Sequence, residues 1–228
     1  MNVILKDGDV ITLRDDGRAE TILVNIEGEY DGPSMLSIKR GARLVDVLNH
    51  IAVNQTLANT DAIYLRRVSV AHAQKDAIND SLFRLERSSL LALSGTANEA
   101  SIRTQEAQLM ETFAEKARLI DPLGRVVTVQ HGVQQNILLE PDDTIVIPTR
   151  TQIIKVAGEV LMMHAATWRE DWTAEDYINL AGGYSDRADK SKIILHHPNA
   201  EVEIVSPDDA IIGPGDEILV PPRIDRKY

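Results

Sequence analysis

Thr151-Gln-Ile-Ile-Lys-Val-Ala-Gly-Glu159 is a second copy of Thr21-Ile-Leu-Val-Asn-Ile-Glu-Gly-Glu29, displaced by 130 positions. Gly158 falls on Gly28 and Glu159 on Glu29, and the register then runs on without a gap. Leu44-Val-Asp-Val-Leu48 lies over Ala174-Glu-Asp-Tyr-Ile178, Ala58 over Ala188, and Ile63-Tyr-Leu-Arg-Arg67 over Ile193-Ile-Leu-His-His197. A hydrophobic pattern shared over 47 ungapped positions marks an internal repeat.

The end of the unit occurs three times, as Lys6-Asp-Gly-Asp-Val-Ile-Thr-Leu13, Glu140-Pro-Asp-Asp-Thr-Ile-Val-Ile147 and Gly213-Pro-Gly-Asp-Glu-Ile-Leu-Val220. Each reads as a tight turn of Asp, Gly or Pro, then an Asp, then a strand with alternating apolar residues. Residues 1–18 are therefore expected to be the tail strand of a preceding repeat and a linker. Because residue 1 lands inside a repeat, a piece of a longer chain is expected.

Within the first unit, Ile22, Val24 and Ile26 share one face of a strand running from Ile22 to Tyr30. Asp31-Gly-Pro33 turns the chain, and Met35-Leu-Ser-Ile38 returns as a second strand. Leu44, Val47, Leu48 and Ile51 form the apolar stripe of a short helix over 44–53, and a strand over 62–67 follows. The second unit repeats this order, with a helix over 174–181 stopped by Gly182-Gly183 and strands over 193–196, 201–205 and 217–220. Two strands, a helix, then further strands and a closing strand after an Asp turn is β-grasp order.

The units differ by an insertion. Arg67 to Asp143 is 76 positions, whereas His197 to Asp216 is 19, so about 57 extra residues fall at roughly 68–127. Ile78, Leu82, Leu85, Ser89 and Ala92 recur at helical spacing, and Ser94-Gly95 breaks the pattern. Thr96-Ala-Asn-Glu99 fits a capping box for a second helix with Ile102, Leu109, Phe113, Ala117 and Ile120 on one face. Pro122 and Gly124 end it. The fold class is therefore α+β: two tandem β-grasp domains at 19–150 and 151–223, the first with an inserted antiparallel helical hairpin.

Lys and Arg total 24 against 35 Asp and Glu, a net charge of -11 with no basic run, which argues against nucleic acid as a partner. The absence of cysteine removes thiol catalysis, disulfides and thiolate metal sites. No apolar run approaches the roughly 20 residues of a membrane helix.

The carrying residues Gly158-Glu159, Asp176, Ala181-Gly182-Gly183 and Pro214-Gly-Asp-Glu-Ile-Leu-Val-Pro221 resemble the soluble-ligand-binding β-grasp (SLBB) repeat of the outer-membrane polysaccharide export, or capsule translocon, family. The first unit matches through Gly28-Glu29, Pro33, Gly41, Asp46 and Asp143-Thr-Ile-Val-Ile-Pro148. Leu161-Met-Met163 stands where the family usually has a Pro-Gly turn, and Ile51-Ala-Val53 where it has Ala-Gly-Gly. The resemblance implies periplasmic domains of an outer-membrane-associated capsular polysaccharide exporter. It also implies a homo-oligomeric ring in the full-length protein, a polysaccharide polymer as cargo, and an inner-membrane export partner.

Residue chemistry points the same way. Asp142-Asp143 and Asp208-Asp209 could be tested as glycosidase pairs, yet each sits in or beside a turn, where Asp caps backbone amides. His196 and His197 are neighbours on a strand and point to opposite faces, so they do not offer two ligands to one ion. His50, His72, His131 and His164 show no ligand spacing, and no phosphate loop or nucleophile elbow is present. No enzyme activity, cofactor or metal is expected. Trp168, Trp172 and Tyr184 are the candidate glycan contacts, weighed against packing or a subunit interface. Two other readings stand beside export: a β-grasp ligand-binding or adaptor module, with a defined pocket, and a carbohydrate-active enzyme, with converging carboxylates of shifted pKa.

Overall fold

A computed structural model describes residues 20–91, 97–130 and 132–223, with the side chains of 89–91 and 97–107 left aside. The tail strand expected at Lys6 to Leu13, the Ser94-Gly95 break, the Thr96 cap and His131 lie outside the described residues.

The first unit contains β1 (Thr21–Gly28), β2 (Tyr30–Asp31), β3 (Met35–Lys39), α1 (Leu44–Leu48), β4 (Ala52–Val53) and β5 (Tyr64–Arg66). The hairpin helices α2 (Val68–Leu91) and α3 (Ala97–Arg118) follow, then β6 (Arg125–Val127), β7 (Val129–Gln130), β8 (Val133–Gln134) and β9 (Thr144–Ile147). The second unit contains β10 (Ile153–Gly158), β11 (His164–Thr167), α4 (Ala174–Leu180), β12 (Ile193–His196), β13 (Val202–Val205) and β14 (Glu217–Val220).

Each unit builds one five-stranded mixed sheet, in the orders β3-β1-β9-β5-β6 and β11-β10-β14-β12-β13. The closing strand enters the centre of the sheet and runs parallel to the opening one. Asn25 pairs with Thr144 and Gly28 with Ile147, while Lys155 pairs with Glu217 and Gly158 with Val220. The register is thus identical in both copies, and the tandem β-grasp architecture expected from the repeat is borne out.

The alternation that reads as strand places Ile22, Val24 and Ile26 against Leu44, Val47, Leu65 and Ile145 in the first core. Their counterparts Ile154 and Val156 meet Ala174, Tyr177, Ile178, Leu195 and Ile218 in the second. Burying a side chain of this size contributes roughly 1.5–3 kcal/mol. At the end of each opening strand a glycine is obligatory. Gly28 has φ +105° and Gly158 φ +89°, and a Cβ on either would lie 1.8 Å from the Ile147 carbonyl oxygen or 2.2 Å from that of Val220. The following glutamates then bond across the unit: Glu29 accepts from the Thr149 hydroxyl (2.8 Å) and Glu159 from that of Ser185 (2.6 Å).

Three local expectations are corrected. First, α1 stops at Leu48 with Asn49 as its C-cap, and the chain turns into β4, which pairs with β2. Ring nitrogen Nδ1 of His50 bonds back to the Asp46 carbonyl oxygen at 2.5 Å, and the β-branched Ile51 and Val53 favour an extended chain after that turn. Second, β6, the edge strand equivalent to β13, comes from the end of the stretch read as inserted. Third, the face that α3 buries is Ala114 and Ala117 against Leu82, with Ile78 packed beside them, whereas Leu109 (71% exposed) and Phe113 (59%) point outward. Small residues let the two helices approach closely, and they outweigh the larger apolar stripe.

The hairpin is fastened at its base. Lys75 Nζ donates to the Arg118 and Ile120 carbonyl oxygens (2.7 and 2.6 Å) and pairs with Asp121 (3.0 Å), closing the carboxyl end of α3. The Arg67 amide donates to Gly124 O at 2.9 Å, so the two ends of the hairpin leave and return at one point of the sheet.

Candidate functional site

Each unit carries a buried, hydrogen-bonded aspartate in its closing turn. In the first, Asp143 is fully buried and accepts from Arg67 Nε (3.0 Å), Arg67 Nη2 (2.7 Å) and the Glu140 amide (2.8 Å). In the second, Asp216 is 1% exposed and accepts from His197 Nδ1 (2.8 Å) and the Gly213 amide (2.7 Å). The aspartate thus caps its own turn and holds a basic side chain, Arg67 or His197, delivered by the neighbouring strand end. The hydrogen bond to Asp143 holds the Arg67 guanidinium pKa above its ordinary value despite the desolvation that opposes it. His197 is likewise raised, first by its bond to Asp216, with Asp216, Glu203 and Glu201 adding attraction against partial burial.

His197 and Asp216 line a cleft of about 600 Å³ where the two units meet. Asn59, Asp61 and Ala62 come from the first unit, Arg150 to Gln152 form the connection, and Pro198, Asn199, Glu201 and Glu203 come from the second. Asn199 Nδ2 donates across to Val129 O at 3.3 Å. Asp61, Glu201, Glu203, Asp209 and Asp216 meet one arginine and one histidine here, so the cleft carries an acidic wall suited to repel an anion.

The three aromatic candidates all pack on the second core. Trp168 donates its indole N–H to Ile212 O at 2.9 Å. Trp172 sits edge-on to Tyr177, with centroids 5.0 Å apart, and Arg169 covers its ring at 4.7 Å. Tyr184 donates its hydroxyl to Glu175 at 2.7 Å, with Lys190 5.5 Å from the ring centre. Burial and that bond push the Tyr184 hydroxyl well above its ordinary range. Tyr177, expected to pack in the core, is fully buried, and its hydroxyl accepts from the Arg169 amide at 2.8 Å.

One carboxylate of each acidic pair, Asp143 and Asp209, is engaged within its own turn. Asp142 holds a left-handed turn (φ 64°), Asp143 is locked by Arg67, and Asp209 bonds Ser206. Among the described residues no group of three or more His, Asp or Glu could hold a metal ion, and no helix is long and apolar enough to cross a membrane. The His197–Asp216 contact escaped the reading of single residues. Its signal was nevertheless present: the displacement that aligns the repeats lays His197 on Arg67, and both closing turns carry the same Asp.

No family model matches the chain. Two Escherichia coli proteins, each named polysialic acid transport protein KpsD, are 37% identical to it over 224 residues, which is 98% of this chain and 40% of theirs. The chain is similar over nearly its whole length to these polysialic acid transport proteins. It spans about two fifths of the length of the curated relatives it matches. The likeness to the capsule polysaccharide export family therefore extends over the repeats and the hairpin alike, well beyond the turn residues that first carried it.

Proposed function

We propose that this chain supplies the periplasmic part of a capsular polysaccharide exporter. Its β-grasp units act without catalysis, assembling in the full-length protein into a homo-oligomeric ring or conduit that passes polymer to the outer membrane. The observation that carries this reading is the 37% identity to polysialic acid transport proteins over 98% of the chain. In this reading residues 1–18 belong to a preceding repeat, 19–150 form one domain with the helical insertion at about 68–127, and 151–223 form the next.

Geometry supports passage over chemistry. The turn carboxylates are engaged in capping and ion pairing rather than converging on a substrate. The acidic cleft would not retain an anionic polymer. Trp168, Trp172 and Tyr184 are the proposed glycan contacts, and with Arg169 lying over Trp172 such a contact would join a cation to the ring face. The partners in this proposal are the polymer, further copies of the full-length protein and an inner-membrane export component.

The test is the mass of the full-length parent in detergent by light scattering, together with surface polymer in cells whose own exporter has been deleted. A large ring and restored surface polymer are expected. A monomeric parent that saturates with a small ligand and restores no export overturns the reading.

A further inference from the structure

The two closing turns are built alike except for the cation. Arg67 and His197 occupy equivalent positions in the repeat, each at the end of a strand that pairs with the closing strand. Each donates to a carboxylate that is all but fully buried. A guanidinium keeps its charge at every physiological pH, whereas an imidazole does not.

We propose that His197 is a proton-dependent clamp in the second unit, beside the cleft, drawing the Glu203 carboxylate of β13 toward the closing turn when charged and losing that attraction when neutral, while the β12–β13 backbone ladder stays in place. Its two ring nitrogens face different carboxylates: Nδ1 lies 2.8 Å from Asp216 Oδ1, and Nε2 lies 3.9 Å from Glu203 Oε2 on the edge strand β13. A neutral imidazole carries one N–H. With that proton held by the buried Asp216, Nε2 presents a lone pair to Glu203 and the attraction is lost. With the second proton the ring is charged and attracts both carboxylates.

The other acidic groups around the ring act in the same direction. Glu201 attracts the imidazolium, Asp61 of the first unit and Asp209 line the same cleft, and Arg150 on its wall opposes them. The closing turn is also tied to the start of β10 and to the segment before it. The Asp216 carbonyl accepts from the Lys155 amide (3.1 Å) at the start of β10, and Gly215 stands against Pro198 and Thr151, so that a Cβ there would lie 2.9 and 3.1 Å from them.

Because the folded His197 is raised, its contribution to stability is fully present below the unfolded imidazole value of about 6.5 and is lost as pH rises through the higher folded value. The test is thermal unfolding of the whole chain between about pH 5.5 and 8.5, with the His197 ring followed by NMR. The expected result is a Tm lower by about 2 °C or more on the alkaline side. His197→Arg, the residue that the first unit uses, should flatten that slope, and His196→Gln should keep it. Glu203→Gln, at an exposed position, should move the His197 titration midpoint down. An unchanged slope in His197→Arg overturns the proposal. If that variant does not fold, a His197 midpoint at the ordinary histidine value that Glu203→Gln leaves unmoved overturns it equally.

Discussion

Arg67 and His197 stand at the same place in two copies of one fold, and each binds the buried aspartate of its closing turn, Asp143 or Asp216, at 2.7 and 2.8 Å. The turn aspartate is the constant and its counterion the variable. In both units this contact anchors the turn that leads into the closing strand, whose backbone ladders to its two neighbours hold it in the sheet.

Removing the constant should be costly. Asp143→Ala leaves the Arg67 guanidinium, 14% exposed, with Glu140 and the Leu138 carbonyl oxygen but without its buried carboxylate, and frees the Glu140 amide. A loss of about 3–5 kcal/mol is expected from such a broken buried pair, read as a lower denaturant midpoint at unchanged m. A loss under about 1 kcal/mol would mean that water replaces the carboxylate freely.

The glycines at the ends of the opening strands separate two costs. Gly41 has φ +93° and open space around its missing Cβ, so Gly41→Ala should lose about 1–2 kcal/mol through backbone strain alone. Gly28→Ala and Gly158→Ala add a collision with a ladder carbonyl and should lose well over 2 kcal/mol. Equal losses at the three positions would deny the close approach.

Lys75 closes α3 through two carbonyls and Asp121. Lys75→Met keeps the aliphatic stem but removes the charge, and about 1 kcal/mol of local stability should go with it. Amide exchange should then quicken around residues 116–121 while β1 and β9 stay protected. Uniform loss of protection would show that the hairpin and sheet open together.

At the head of α4, Thr173 and Asp176 form a capping box, with the Thr173 amide donating to Asp176 at 2.8 Å. That bond holds the Asp176 carboxyl below the usual carboxylate range. Its support is therefore present above the ordinary value of about 3.9 and is lost as pH falls through the lower folded value. Thr173→Ala should cost about 1 kcal/mol at neutral pH. An Asp176 carboxyl that titrates at the ordinary value in the folded chain would contradict the geometry.

The topology was legible because the fold is stated twice. Alternation at Ile22, Val24 and Ile26 is weak by itself, but Ile154 and Val156 repeat its buried face, and the recurrent Asp turn places the closing strand. Where the repeat fell silent, reading failed. In α3 the larger residues Leu109 and Phe113 carried the periodicity, yet Ala114 and Ala117 make the contact, the small alanines of α3 facing the larger Leu82 and Ile78 of α2. In α1 the apolar spacing continued through Ile51 although the backbone had already been turned at Asn49. The His197–Asp216 bond needed two distant segments to be superposed, and side chains judged one at a time cannot show that.

The hairpin also has a consequence for how the chain finds its fold. Asn25 and its partner Thr144 are 119 positions apart, whereas Lys155 and Glu217 are 62 apart, so closing the first sheet demands the larger loss of chain entropy. Yet the Arg67 amide meets the Gly124 carbonyl, and the 57 positions between them are bridged by helices that form from local contacts. Once α2 and α3 have zipped together, the loop left to close is 62 positions, the same as in the undecorated unit. The insertion removes itself from the search that its length would otherwise burden.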